Sequence, residues 1–191
     1  MLRDRLVKMG ACAEAVEWVG GRNITAAWAE CERADWMLWL AGRVVAREPV
    51  VLAACACART ALRYVLAGED RPRVAIEMAE RWARGEATIA EVRSAAYAAY
   101  AAYAADAAYA ADAAYAAAAA AADAAVAYAA YAAAVAYAAY AASYADTAYA
   151  AAAADAAYAA SRKVALAQMA NLVRGIIVAD QVAAGLEGRN D

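Results

Sequence analysis

The residues of this chain that could carry out chemistry are its four cysteines, its arginines and the aspartates of an alanine-rich segment. The chain has no histidine, so it lacks the most common general base, metal ligand and activator of a catalytic cysteine. Cys55 and Cys57 lie two apart on a predicted helix, where their side chains diverge by about 200°. A four-thiolate zinc site with Cys12 and Cys31 is the alternative, although structural zinc sites usually show two paired-cysteine knuckles. We therefore expect small buried thiols, with no metal and no cofactor.

The aspartates do not form an acid/base pair within one helix. Asp106 and Asp112 are six residues apart, so their directions around a helix differ by about 240°. Carboxylates from different helices could still converge. Because the chain also lacks a glycine-rich phosphate loop with its lysine, the sequence predicts a protein that is not an enzyme.

Arginines concentrate in the first half of the chain and form a candidate anion site. The sequence Arg71-Pro72-Arg73 falls at the start of a predicted helix, where backbone N–H groups can hold an anion. The candidate residues are Arg59, Arg63, Arg71, Arg73, Arg81 and Arg84. The favoured alternative is that Arg71 and Arg73 form surface ion pairs with Glu69, Asp70 or Glu77.

Residues 94–161 are almost entirely alanine, punctuated by tyrosine and aspartate about every third residue. Alanine has the highest helix propensity, so the sequence predicts helices throughout. A period of three drifts by about 60° per triplet on an α-helix, so the tyrosines should form a spiral ridge that fills gaps between closely packed helices. We expect the segment to fold back near residues 121–123 and 143–146, since one rod would be about 100 Å long.

The predicted protein-binding surface belongs to this segment. Tyrosine offers a large rigid contact area with a polar tip. The candidate partner-binding residues are Tyr97, Tyr100, Tyr103, Asp106, Tyr109, Asp112 and Tyr115.

The rest of the chain shows helical periodicity and turn signals, which predicts one all-α domain over residues 1–191. We expect short N-terminal helices in residues 1–87, long antiparallel Ala/Tyr-rich helices in 88–161, a closing amphipathic helix in 162–184 and a frayed tail in 185–191. Helices should cover residues 9–19, a stretch capped by Asn23 or Thr25 and ending near residue 32, and residues 34–41, 50–66 and 73–84. Pro49 should open the helix over residues 50–66, Asp70 should cap the helix over residues 73–84, and Gly175 is a candidate kink.

Two local motifs carry more specific expectations. Thr88 and Glu91 have the spacing of a capping box, which should start the alanine-rich helices. Trp36, Trp39 and Leu40 share one helical face and, with Trp18 and Trp28, should form the centre of the N-terminal core. The alternative for this aromatic cluster is a ligand platform.

Charge and composition limit the partners. The net charge is −3, which gives no support for binding a nucleic-acid backbone. The N-terminal ten residues lack the apolar core of a signal peptide. Aspartate recurs too often in the alanine segment for a membrane span. We therefore expect a cytoplasmic protein with reduced thiols.

Four runs in order carry a family resemblance: CERADWMLWL at 31–40, AACACAR at 53–59, EDRPRVAIE at 69–77 and RWARGEAT at 81–88. Followed by alanine-rich repeats, they resemble the Imm5-like group of immunity proteins, which occur in bacteria and in phage genomes. The resemblance covers roughly residues 10–100. It implies a non-enzymatic cytoplasmic protein that binds and neutralises a cognate toxin domain, and it supplies no catalytic residues.

The leading functional hypothesis is thus an immunity-type protein that neutralises a toxin or another protein partner through helical surfaces. One alternative is a phage counter-defence protein that sequesters a host factor or a nucleotide signal in a basic pocket formed by the arginines. The other is an architectural scaffold, in which alanine-rich helices pair across a two-fold axis in a homo-oligomer.

Overall fold

The computed structural model describes residues 1–60, 62, 68–101 and 154–188, with only the backbone for residues 100, 101 and 154–162. Within these residues the chain is all-α, as predicted, and has no strand. The helices are α1 (Leu2–Lys8), α2 (Ala13–Val19), α3 (Ile24–Glu30), α4 (Ala34–Val44), α5 (Arg47–Arg59), α6 (Arg71–Ala83), α7 (Ile89–Ala101), α8 (Ala154–Ile176) and α9 (Ala179–Glu187). The predicted turns near 121–123 and 143–146 lie outside the described residues.

The N-terminal segment contains one more helix break than predicted. Gly10 has a positive φ of 78°, and Cys12 is extended before α2, so the helix expected over residues 9–19 begins only at Ala13. Gly20, with φ 52°, ends α2 as expected. Left-handed backbone of this kind favours glycine because it has no Cβ.

The caps of the next two helices follow their sequence signals only in part. Asn23 is the N-cap of α3, and its Oδ1 accepts a hydrogen bond from the Ala26 N–H at 2.8 Å. α4 continues through Gly42 to Val44, so the expected stop at residue 42 is wrong. Gly42 is not among the glycines with positive φ, and packing of α4 outweighs its helix-propensity cost of about 1 kcal/mol.

The starts of α5 and α6 also differ from expectation. α5 begins at Arg47, which places Pro49 inside the first turn, where its missing N–H is not needed. Asp70 occupies the N-cap position of α6 but makes no capping hydrogen bond. The Glu69 carboxylate accepts instead from the backbone N–H of Arg71 at 3.0 Å. The difference at α6 arises because two neighbouring acidic side chains, Glu69 and Asp70, can reach the same N–H groups at the helix start.

The capping box before α7 is confirmed. The Glu91 carboxylate accepts from the Thr88 N–H at 2.7 Å, and the Thr88 hydroxyl oxygen accepts from the Glu91 N–H at 3.3 Å. These hydrogen bonds hold the pKa of Glu91 below its ordinary value. This reciprocal pair fixes where the alanine-rich helix starts.

The C-terminal segment is two helices, whereas the sequence predicts one. The break lies at Ile177 and Val178, not at Gly175, and the two parts meet at an angle of 73°. The side chain of Gln181 accepts from the Val178 N–H at 3.0 Å and so caps α9. α9 extends to Glu187, so the expectation of a frayed tail from residue 185 is wrong for residues 185–187.

α8 packs on both α4 and α5. α6 packs on α5 and α7, α9 packs on α3 and α4, and α1 packs on α2. The fully buried large side chains are Met37, Leu38, Val50, Val51, Ile76, Val92, Leu166, Met169, Val173 and Ile177. The apolar centre therefore joins helices from both ends of the chain.

The tryptophans do not all belong to this centre. Trp28 is 4% exposed, but Trp18, Trp36 and Trp39 are only partly buried. The prediction that these four side chains form the middle of the N-terminal core is therefore wrong for three of them.

None of the described helices is by itself long and apolar enough to cross a membrane. Among them, only residues 163–176 and α9 taken together have the required length and apolar composition, and this pair is bent by 73°.

Candidate functional site

The arginines of the predicted anion site are engaged by neighbouring acids and carbonyls. The predicted ion pairs of Arg71 and Arg73 are confirmed. Arg71 binds Glu69, and Arg73 bridges Asp70 and Glu77, the latter at 2.8 Å. Hydrogen bonds from the Arg71 guanidinium and N–H lower the pKa of Glu69 to about 2.

The other described arginines of this candidate set also have partners. Arg59 at the end of α5 makes a bidentate pair with Glu80 of α6, with both N–O distances at 2.7 Å. Arg84 pairs with Glu86 at 3.2 Å, and Arg81 donates to the Glu86 carbonyl at 3.1 Å. Arg63 lies outside the described residues.

Arg71, Arg73, Arg81 and Arg84 follow one another along α6 and its C-cap, whereas Arg59 lies at the end of α5. Arg71 and Arg84 are separated by the length of α6, roughly 20 Å at 1.5 Å per residue. A single small anion therefore could not contact both Arg71 and Arg84. The structure therefore places four of the predicted anion-binding residues in separate ion pairs, namely Arg59, Arg71, Arg73 and Arg84.

Of the candidate partner-binding residues, the structure describes the side chain of Tyr97 alone, with only the backbone of Tyr100. Val92, Ala95, Ala96 and Ala99 of α7 are buried, and α7 packs on α6. Tyr97 lies on the opposite side and is 68% exposed. The expectation that tyrosines fill gaps between helices is thus wrong at Tyr97, where alanines face the neighbouring helix. Tyr103, Asp106, Tyr109, Asp112 and Tyr115 lie outside the described residues.

The cysteines are free and mostly buried. Cys31, Cys55 and Cys57 are buried, whereas Cys12 is exposed, against the expectation for that thiol. The Cys55 and Cys57 thiols donate to different carbonyls, those of Ile76 on α6 and Met169 on α8. Burial raises the pKa of Cys57 to about 12 and raises that of Cys55 further. No group of three metal-ligating side chains occurs in the described part of the chain.

A cavity of about 260 Å³ lies among α1, α2, α3 and α4. We call it the tryptophan cavity. Its lining includes Leu6, Trp18, Trp28, Trp36, Trp39 and Leu40. The Trp18 and Trp36 rings pack against each other in a tilted arrangement, with a centroid distance of 6.0 Å and an interplanar angle of 57°. The side chains that were expected to fill the core therefore form the walls of a cavity.

The charged side chains that line this cavity neutralise each other. Arg33 makes a bidentate pair with Asp35, at 2.9 and 2.6 Å, and reaches Glu14 at 3.2 Å. Its guanidinium also lies 4.2 Å from the centre of the Trp36 ring. The bond to Asp35 raises the pKa of Arg33 above its ordinary value, so the Arg33 guanidinium stays charged.

Two further arginines lie over the tryptophan walls. The Arg22 guanidinium carbon is 4.8 Å from the centre of the Trp18 ring, and that of Arg43 is 4.0 Å from the centre of the Trp39 ring. Arg22 is also paired with Glu30 at 2.8 Å. Such cation–π contacts restrict the orientation of each indole.

The C-terminal helices hold one wall in place. The indole N–H of Trp28 donates to the carbonyl of Ile177 at 2.9 Å. Arg174 of α8 donates to the carbonyls of Trp28 and Cys31, at 3.2 and 2.6 Å. A cation at the C-terminus of α3 satisfies carbonyls that the helix leaves unpaired. The Trp28 side of the cavity is therefore held by residues more than 140 positions away in the sequence.

Sequence reasoning recognised the aromatic cluster but preferred the core interpretation. The spacing of Trp36, Trp39 and Leu40 predicts a shared face and does not tell whether another side chain fills the space opposite. The turn at Gly10 and the separate helix α1 set that space, and neither was predicted. The density of tryptophans beside Arg33 and Asp35 was the one available signal for a site.

In comparisons of the chain with known proteins, no family model, no curated protein and no solved structure matches it.

Proposed function

We propose that this chain is a non-enzymatic, cytoplasmic binding protein of the immunity type, which neutralises a toxin or another protein partner. The observation that carries this proposal is the orientation of α7, where Val92, Ala95, Ala96 and Ala99 are buried and Tyr97 is 68% exposed. Alanine suits the inward face because it packs without losing side-chain entropy. An exposed tyrosine suits recognition because it offers rigid amphipathic area at low entropic cost.

The charge of the adjoining segment indicates the chemistry of the partner. Between residues 94 and 161 the charged side chains are aspartates only, namely Asp106, Asp112, Asp123, Asp146 and Asp155. A surface that presents tyrosines and carboxylates complements a basic partner and speeds its association at low salt. A cationic toxin domain is the partner class that this composition favours.

The nucleotide-sequestering alternative receives less support. Each described arginine of the candidate set already pairs with a carboxylate or donates to a carbonyl. An incoming phosphate would have to displace those carboxylates and overcome their repulsion.

The test is affinity capture with the full chain, followed by measurement of the dissociation constant for each captured protein. Replacing Tyr97 by alanine should raise the dissociation constant for the partner at least about tenfold, which corresponds to a loss of about 1.4 kcal/mol of binding free energy. Val164→Ala is the matched control, since Val164 is an apolar residue of α8 that is 57% exposed. Co-expression with the captured protein should also relieve its toxicity.

The proposal fails if Tyr97→Ala and Val164→Ala bind every captured protein as tightly as the unchanged chain. It also fails if binding shows no salt dependence, because the aspartates would then play no part. Thermal unfolding of both variants shows that the fold is retained.

A further inference from the structure

The tryptophan cavity is independent of the exposed face of α7 and of the function proposed for it. Its lining residues belong to the first forty positions of the chain, in α1 to α4 and the turns between them. It takes no part in the ion pairs of α5 and α6. We propose that this cavity is a binding site for an uncharged, flat aromatic molecule of about the size of indole or naphthalene.

The size of the ligand follows from the volume. A cavity of roughly 150 Å³ lined by apolar side chains accommodates benzene, and typical ligand pockets begin at roughly 300 Å³. At about 260 Å³, the tryptophan cavity exceeds what one six-membered ring fills. A fused bicyclic ring is the smallest flat molecule that would occupy it well.

The shape of the ligand follows from the walls. Trp18 and Trp36 present two ring systems whose centroids are 6.0 Å apart and inclined at 57°. Aromatic pairs prefer offset-stacked or edge-to-face arrangements with centroids about 4.5–7 Å apart. The two indoles already form such a pair, and a flat aromatic ring in the cavity can extend it by a further aromatic contact, which an aliphatic chain of equal volume cannot do.

The absence of charge on the ligand follows from the ion pair in the lining. Both oxygens of Asp35 are bonded by Arg33, whose remaining nitrogen reaches Glu14. An anionic ligand would meet the Asp35 carboxylate, and a cationic one would compete with an arginine that is already stacked and paired. Burying an additional charge without a partner is costly, so an uncharged ring is favoured.

The site is also preorganised. Trp28 is 4% exposed and bonded to the Ile177 carbonyl at 2.9 Å, while cation–π contacts restrict Trp18, Trp36 and Trp39. Because these walls are fixed before binding, a ligand loses little free energy in ordering them.

The experiment is isothermal titration calorimetry of the full chain with indole, naphthalene and indole-3-acetate. We expect indole and naphthalene to bind at one site with a negative heat-capacity change. Indole-3-acetate should bind at least about tenfold more weakly than indole. Ala15→Leu, which adds a larger side chain to the lining of the cavity, should abolish binding. Ala13→Leu, an exposed position of the same helix, should leave it unchanged.

A second measurement does not depend on the folding of a variant. Cys12 lines the cavity and is exposed, so saturating indole should slow the reaction of its thiol with an aromatic disulfide reagent severalfold. The proposal is overturned if neither uncharged ring binds at millimolar concentration, if bound ring leaves the Cys12 rate unchanged, or if the folded Ala15→Leu variant binds as well as the unchanged chain. Equal affinity for indole and indole-3-acetate would overturn the assignment to uncharged ligands.

Discussion

Replacement of Gly185 by alanine is the sharpest test of how α9 packs on the rest of the fold. Gly185 lies in α9 against Val44, the last residue of α4. A Cβ at position 185 would overlap the carbonyl oxygen of Val44 and would lie 2.6 Å from its carbonyl carbon. Both are backbone atoms at a helix end, so no side-chain rotation relieves the overlap.

The size of the effect follows from this geometry. Optimal carbon–carbon contacts are about 3.5–4.0 Å, so the contact with the Val44 carbonyl carbon alone would require α9 and α4 to separate by at least about 1 Å. Overpacking of this kind costs about 1–3 kcal/mol. The upper limit is the detachment of α9, which would expose Val182 and Leu186, both buried, at about 1.5–3 kcal/mol each. We expect Gly185→Ala to lower the free energy of unfolding by about 2 kcal/mol or more, equivalent to about 4–8 °C in Tm.

Gly175→Ala is the matched control. Gly175 lies near the end of α8, and a Cβ there would have no heavy atom within 4 Å. Its φ is not positive, so alanine fits the backbone without strain. Replacing glycine by alanine in a helix raises the free energy of unfolding by about 0.4–1 kcal/mol, and the gain is smaller near the end of a helix. The two glycine-to-alanine changes should therefore have opposite signs.

Urea unfolding followed by circular dichroism measures both free energies, and calorimetry gives both Tm values. Hydrogen exchange should also show faster opening of α9 in Gly185→Ala alone. If Gly185→Ala is as stable as the unchanged chain, or shifts stability in the same direction as Gly175→Ala, the packing of α9 on α4 described above is wrong.

Three further outcomes are expected. An aromatic disulfide reagent at pH 8 should label Cys12 in the native chain, while the other three thiols should react only after denaturant is added. The reason is that burial raises the pKa of each of these three thiols. Rapid labelling of more than one thiol in the native chain would contradict this expectation. Asn23→Ala removes the cap of α3 and should cost about 1 kcal/mol in urea unfolding, so an unchanged midpoint would show that the cap is not needed. Arg71 lowers the pKa of Glu69 to about 2 from 4.5, so the contribution of Glu69 to stability is complete above about pH 4.5 and is lost as the pH falls toward 2. As the pH is lowered from 6 to 2, the urea midpoint should therefore fall less steeply for Glu69→Gln than for the unchanged chain. The same decrease in both proteins would contradict the ion pair between Glu69 and Arg71.

The resemblance to immunity proteins stays a prediction, and so do the protein partner and the cytoplasmic location. The all-α class is a different matter, because it follows from local properties. Alanine-rich composition, the capping box of Thr88 and Glu91, and the Asn23 cap act within one turn of the chain. Such short-range hydrogen bonds and propensities can be recognised without knowledge of the tertiary fold.

Helix ends that depend on packing were harder to predict. α4 runs through Gly42 because its contacts with other helices outweigh a local penalty, and α8 ends at Ile176 although Gly175 is the better local signal. Propensity differences of about 1 kcal/mol are small beside the burial of a helix face. The same reasoning explains why acidic residues near Asp70 signalled a cap but did not show which carboxylate would supply it.

The sequence by itself determined the helical class, the starts of α3, α4 and α7, and the ion pairs of neighbouring side chains, because each depends on residues within a few positions. Only the tertiary structure decided that Tyr97 faces outward and that the tryptophans border a cavity, and that Arg174 and Ile177 hold that cavity from the far end of the chain. Periodicity shows which side chains share a helical face. Whether that face meets another helix, an empty space or solvent depends on contacts between distant segments, which no local pattern encodes.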